Sequence, residues 1–302
     1  MKKVTTIGAA LVDIYFVSES FSPQDVADGR FLCQPYGHKI EITDHDVTTG
    51  GAATNVAIAL ARRGHDVSIV AELGRDQFAT FIKNELVREK VDTHYLIQEK
   101  AEKTGCSVIL RGFDGGRTVM VSRSASAMLD DYDIPLKHLR SRDWLHLSSV
   151  GGNLNALGEI WKAFDNSDLN FSWNPGKREL EQLAAGALTF PRTSQSMFFV
   201  NAEEWALIPT IQTQILQNFK FVIITDGEAG GLIYVDNQKY ADYHALSRGE
   251  AVEVTGAGDA FAAGFISTIL YERSVDEAIM AAVNNADSVI RYVGAKRGLL
   301  TY

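Results

Sequence analysis

The 302-residue sequence predicts an α/β fold: a mostly parallel sheet flanked by helices on both faces, with a small antiparallel β lid. Three observations predict it. Short β-branched runs alternate with stretches of helical period, the pattern of βαβ units. Two regions, about 14–48 and 104–123, break that rhythm with strand-like pieces of their own. No fixed-period repeat, low-complexity tract or linker divides the chain, so one domain over 1–302 is expected.

Taken in order, residues 3–8 (KVTTIG) and 66–71 (DVSIVA) read as strands. Between them Ala53, Val56, Ala57, Leu60 and Ala61 share one helical face, directly after the pair Gly50-Gly51. The runs at 144–150 (WLHLSSV), 169–173 (LNFSW), 197–200 (MFFV) and 219–225 (FKFVIIT) have the apolarity of buried strands. Helical patterns near 75–90, 154–165, 178–186 and 211–217 separate several of them, and two long ones, 257–271 and 275–292, close the chain. In the irregular regions YFVSES, HKIEIT, GCSVILRGF and GRTVMVSRS are strand-like, and the last two flank Asp114-Gly115-Gly116, a hairpin signal. These pieces form a lid, or no more than a decorative edge hairpin; pattern alone does not choose.

Composition removes several classes of function. With 29 Lys+Arg against 38 Asp+Glu the formal charge is −9, which opposes broad electrostatic binding to nucleic acid or anionic membrane. A 46% hydrophobic share with 22% charged residues is ordinary for a globular protein and excludes disordered, collagen-like and disulfide-scaffold chains. Cys33 and Cys106 lie in no CxxC, which suits a reducing compartment. Asp13 interrupts the apolar start, no cleavage site follows, and no run reaches the roughly 18 apolar residues of a membrane span. A cytoplasmic protein is expected, with no nucleic-acid and no membrane partner. The seven His show no metal-ligand spacing.

The stretch VEVTGAGDAFAAGFISTIL (252–270) carries the most chemistry. Gly256, Ala257 and Gly258 let backbone N–H groups converge at a helix N-terminus, which makes an anion hole. Asp259 in the first turn either offsets the helix dipole or accepts a hydroxyl proton beside that hole. Four strings resemble signatures of the ribokinase-like (PfkB) family of carbohydrate and nucleoside kinases. They are TGAGDAFAAGF near the C-terminus, GGAATNVAIALARRG (50–64), NAEE (201–204) and TDGEAGG (225–231), in the family's order across the whole chain.

The resemblance implies a role for each matching position. Asp259 is similar to the catalytic base, and Gly256, Ala257 and Gly258 to the anion hole. Asp13, Gly51 and Asn55 match sugar-binding residues. Asn201, Thr225 and Gly227 match the nucleotide side, Asn284 falls near the adenine within about one position, and Glu204 matches a residue that holds Mg²⁺ through water. Local explanations compete: Asp13 as a turn cap, Asn55 as a helix cap, Glu204 as dipole compensation, and Thr225 and Gly227 as a plain turn.

The chain also departs from the family pattern. Glu253 stands where the usual Asp helps hold a monovalent cation such as K⁺, and Ala52 replaces the Lys common in ribokinases. Arg123 falls where some sugar-acid and fructose kinases place a substrate contact, and Trp173–Lys177 resembles the Asn-Pro segment of ribokinases. The implied activity is an ATP- and Mg²⁺-dependent phosphotransferase acting on a hydroxyl of a small sugar such as ribose or fructose. A nucleoside kinase of adenosine, inosine or cytidine type is the alternative within the class, and a non-catalytic sugar- or nucleotide-binding relative the alternative outside it. The open edge of the lid suggests a homodimer.

Overall fold

The structure, a computed structural model, describes residues 1–114, 116–165, 167–191, 193–246, 249 and 251–301. Its strands and helices run in the order β1 (Lys3–Ile7), β2 (Leu11–Val17), β3 (Gln24–Val26), β4 (Gly29–Phe31), β5 (Asp44–Gly50), α1 (Ala52–Arg62), β6 (Asp66–Leu73), α2 (Gln77–Arg88), β7 (Leu96–Gln98), β8 (Gly105–Arg111), β9 (Arg117–Ser122), α3 (Leu136–Leu139), β10 (Trp144–Leu147), α4 (Leu154–Trp161), β11 (Asn170–Trp173) and α5 (Lys177–Ala184). The C-terminal part continues with β12 (Ser196–Asn201), α6 (Ala202–Ala206), α7 (Gln212–Asn218), β13 (Phe221–Thr225), β14 (Gly231–Val235), β15 (Gln238–Tyr243), α8 (Ala257–Leu270) and α9 (Val275–Val289).

Nine strands form the main sheet in the order β15-β14-β13-β12-β11-β10-β1-β6-β7. It is parallel from β13 to β7 and takes two antiparallel strands, β14 and β15, at one edge. The parallel strands are buried on both faces, which is why they read as continuous apolar runs. One face packs on α1, α2, α8 and α9 through Val4, Ile69, Phe199, Phe221 and Phe265. The other face holds an aromatic cluster of Trp161, Phe164, Phe171, Trp173, Phe198 and Phe219, with ring centroids 4.9–6.0 Å apart at steep angles.

Helix α1 is buried around most of its circumference from Ala53 to Ala59 because its small side chains let it run deep under the sheet. Helix α8 is Ala- and Gly-rich for the same reason: a Cβ at Gly264 would lie 2.8 Å from the Cα of Ala282 in α9. Helix α9 starts on a capping box, in which Ser274 Oγ accepts from Glu277 N and Glu277 Oε2 accepts from Ser274 N.

A second, four-stranded sheet has the order β5-β2-β8-β9. Its outer pairs are antiparallel and its central pair, β2 with β8, is parallel. HKIEIT (38–43) was expected as a strand but is irregular, and the strand lies just after it at Asp44–Gly50. That strand escapes sequence reading because it is an edge strand of mostly polar residues, so no apolar alternation marks it. GCSVILRGF and GRTVMVSRS do pair as a hairpin, closed by Gly112 N donating to Gly116 O at 3.1 Å; Gly115 lies outside the described residues. A two-stranded ribbon, β3–β4, also has no counterpart in the sequence reading.

Strand β1 sits between β6 on one side and β10 on the other, so the chain leaves it in both directions. Such a switch point opens a crevice at the carboxyl ends of the strands, the place where open α/β sheets bind ligands. No helix of the described residues is long and apolar enough to cross a membrane.

Candidate active site

Two helix N-termini meet over this crevice. Ala53 N donates to Ala9 O just past β1, which fixes the start of α1. Asn55, in the first turn of α1, donates from Nδ2 to Asp259 Oδ2 at 2.7 Å, joining residues 204 apart in sequence. Asn55 is therefore not a cap: its backbone N–H bonds to Gly51 O inside the helix and its side chain leaves the helix. Its Oδ1 is buried and has no partner among the described residues. An unpaired buried acceptor is costly, and at the crevice it is open to a donor from water or a ligand.

Asp259 is the third residue of α8. Burial pushes its carboxyl above the usual range, opposed by the Asn55 hydrogen bond and the Lys296 charge, with the Asp13 charge adding to the rise. Gly256, with φ of 80°, caps the helix in the left-handed region, and a Cβ there would collide with Ala295. Ala257 N–H donates back to Val254 O at 3.2 Å, so this member of the expected anion hole is already engaged. The N–H groups of Gly258 and Asp259 belong to the first turn, where no helical carbonyl lies one turn back. Open space surrounds Gly258: a Cβ built there would meet nothing within 4 Å.

Asp13 lies within β2 rather than in a turn after the first strand, and is 5% exposed. Register places it between Thr48 of β5 and Ser107 of β8, and Ser107 hydrogen-bonds its carboxyl. Burial again raises the group, with Ser107 and Lys296 opposing. Gly50 is needed beside it, since a Cβ there would collide with Asp13 Oδ2. Gly51 follows as the N-cap of α1, so the glycine pair, Asn55 and Asp13 converge.

Glu253 is almost fully buried and accepts three bonds at Oε1: from Arg117 Nη1 at 2.8 Å, Thr255 N at 3.0 Å and Thr255 Oγ1 at 2.7 Å. Arg117 comes from β9 of the second sheet, so the four-stranded sheet touches the segment leading into the anion hole. Arg123 is exposed at the end of β9, heading a short 3-10 turn.

The nucleotide-side residues stand at the carboxyl ends of adjacent strands, with Asn201 of β12 in register with Thr225 of β13. Asn201 Oδ1 accepts from Glu204 N at 2.7 Å and Glu204 Oε2 accepts from Asn201 N at 3.0 Å, a reciprocal cap. That cap leaves Glu204 Oε1 uncommitted, and burial pushes the carboxyl upward. Gly227 opens the turn after β13 with φ of 51°. Asn284 is half-buried and donates to Met280 O of its own helix, while Asn285 beside it is buried and bonds Ala260 O. Sequence reading missed Ser107, Arg117 and Lys296, because each lies in a stretch whose local pattern is unremarkable, and it gave no role to Thr255, which opens the string TGAGDAFAAGF.

A buried carboxyl in the first turn of a helix at the crevice of a doubly wound sheet suits a phosphotransferase that acts on an alcohol. The chain belongs to the pfkB family of carbohydrate kinases, whose pattern it matches over residues 1–301. It is 29% identical to an Escherichia coli fructokinase over 286 residues, 88% of this chain and 83% of that protein. It is 27% identical over 233 residues to an ATP-dependent ribose-1-phosphate kinase of Halopiger xanaduensis, 76% of each chain. The structure of a putative ribokinase II from E. coli in complex with ATP and Mg²⁺ superposes with a TM-score of 0.78 at 19% identity, covering 99% of this chain and 96% of that one.

Proposed function

We propose that this kinase transfers the γ-phosphoryl group of ATP to a hydroxyl of a small sugar, with Asp259 as the base. The carrying observation is the Asn55–Asp259 contact beside the anion hole, with Asn55 Oδ1 left without a donor. An acceptor hydroxyl held between Asp13, Asn55 and Asp259 gives its proton to Asp259 as its oxygen attacks the γ-phosphorus, the bond from that phosphorus to the β–γ bridging oxygen breaks and ADP leaves, and the N–H groups of Gly258 and Asp259 meet the charge on the transferring group. Asp13, Gly51 and Asn55 bind the sugar; Asn201, Thr225, Gly227 and Asn284 take the nucleotide; Arg123 stands at the mouth on the sugar side.

Mg²⁺ fits the residues present. It binds through one or two carboxylates plus phosphates, and among the described residues no group of three or more His, Cys, Asp or Glu would hold a metal without them. Glu204 Oε1 would hold one of its waters, and the ion would neutralise phosphate charge. Glu253 has its charge met inside the chain by Arg117 and Thr255, so K⁺ is not required to neutralise it. The sheet of β5, β2, β8 and β9 acts as a lid that excludes water from the acceptor.

An ADP-release screen over sugars and nucleosides tests the reading. Turnover on a pentose or hexose is expected. Turnover confined to nucleosides would replace the substrate class, and calorimetric binding of sugar with no turnover on any acceptor would replace the activity.

A further inference from the structure

The segment Gly294-Ala295-Lys296 is wedged between two parts of the site. On one side Ala295 fills the space that keeps Gly256 a glycine, and on the other Gly294 packs on Thr48 of β5. Lys296 follows from this wedge, 5% exposed. Its Nζ donates to Thr49 O at 2.8 Å and Thr49 Oγ1 at 2.6 Å, and lies 3.4 Å from Glu85 Oε2. Thr49 Oγ1 in turn donates to Glu85 Oε2. Every oxygen around Nζ thus offers it a lone pair, which suits the three donors of an ammonium and leaves no partner for an amine lone pair.

We propose that Lys296 is a positioning residue for the transfer, a fixed ammonium beneath the crevice that keeps Asp259 in the carboxylate form that takes the acceptor proton. The inference rests on the kinase reading and adds to it a residue outside the four family strings.

The charges around the pair favour this. Asp259 faces Asn55 from α1, Asp13 from β2 and Lys296 from the C-terminal segment. Asn55 and Lys296 favour its ionised form, while burial and Asp13 oppose it. Lys296 faces Glu85 from α2, Thr49 from β5, and the carboxylates of Asp13 and Asp259. Burial pulls Lys296 downward, and the three carboxylates Glu85, Asp13 and Asp259 pull it back. The neighbouring charges Arg62 and Glu89 pair with each other at 2.7 Å, and Arg62 Nη1 holds the Lys296 carbonyl at 2.8 Å. Among the described residues, Lys296 is therefore the cation that bears on both Asp13 and Asp259.

The test replaces the charge and keeps a donor: Lys296→Gln. Two readouts are taken on the full chain, the pH profile of kcat/KM for ADP release and the ¹³Cγ titration of Asp-labelled protein, assigned with Asp259→Asn. Loss of the ammonium is expected to move the acid limb and the Asp259 titration up by about one pH unit. That is about a tenfold loss of kcat/KM below the limb, recovered at higher pH. An unmoved limb and titration, or an equal loss at every pH, overturns the proposal. Lys296→Arg should restore the wild-type profile. If Lys296→Gln does not fold, the ¹³Cε titration of Lys-labelled wild type decides: Lys296 must stay protonated through the pH range in which Asp259 ionises, and a neutral Lys296 there overturns the role. Wild type without turnover on any acceptor would instead sink the kinase reading, while the Asp259 titrations would still show whether Lys296 sets its charge.

Discussion

Asp259 is the residue with most to lose, because burial and the Asp13 carboxylate push its carboxyl upward and only the Asn55 hydrogen bond and the Lys296 charge oppose them. Asp259→Asn keeps the shape and the Asn55 contact but removes the base. It is expected to lower kcat by roughly 10²–10⁴-fold with ATP binding by calorimetry unchanged; undiminished turnover would remove the general-base role. A different carboxyl governs stability. Glu72, at the end of β6, is 2% exposed, and neither of its oxygens accepts a hydrogen bond from a donor among the described residues. Burial, and then the nearby carboxyls of Asp133, Glu99 and Asp130, push it up to about 8. A carboxyl raised on folding binds its proton more tightly in the native state. Its contribution is fully present below the unfolded value near 4.5 and is lost as pH rises through about 8. Urea unfolding midpoints should therefore fall between pH 5 and 9 in wild type and fall less in Glu72→Gln.

At the scale of elements, the long helices were legible because eight or more residues of consistent period outweigh local noise, and the buried strands because they are short continuous apolar runs. Ends were less so: the last helix stops at Val289 rather than continuing to 292. The second sheet was legible only where apolar residues alternate, as in β8; its polar edge β5 was not. The α8–α9 contact shows what periodicity does not report. Gly264 reads in sequence as a weak helical residue, yet at it the backbone of α9 comes too close to leave room for a methyl group. Gly264→Ala raises intrinsic helix propensity but forces backbone apart, and is expected to cost about 1–3 kcal/mol by urea unfolding. A gain in stability would show that the helices can shift to admit a methyl group.

For the whole molecule, the second sheet ends in β9, whose six residues are all exposed, with Val119, Met120 and Val121 each about half accessible. An unpaired edge with apolar side chains on both faces is a liability unless it is covered. We expect a second copy of the chain to cover it through the same sheet. Light scattering at micromolar concentration should give twice the 33.2 kDa chain mass, and Met120→Lys should shift it toward monomer; a monomeric wild type would count against the pairing. The net charge of −9 opposes polyanions at long range. A helix N-terminus binds phosphate through backbone N–H groups whatever the net charge of the chain, so charge composition says little about a nucleotide.

By itself the sequence determined the layered α/β architecture and the family, and singled out Asp13, Asn55, Glu204, Glu253 and Asp259 as candidates, because those rest on period and on short strings whose residues are neighbours in the chain. Tertiary structure decided what those residues do to one another. Only packing made Asn55 a partner of Asp259 rather than a helix cap, brought Arg117 onto Glu253, and buried Lys296 against Thr49 and Glu85. Hydrogen bonds and Coulomb energies depend on distance in space, and these groups are brought together by crossings of the chain that leave no period in the sequence.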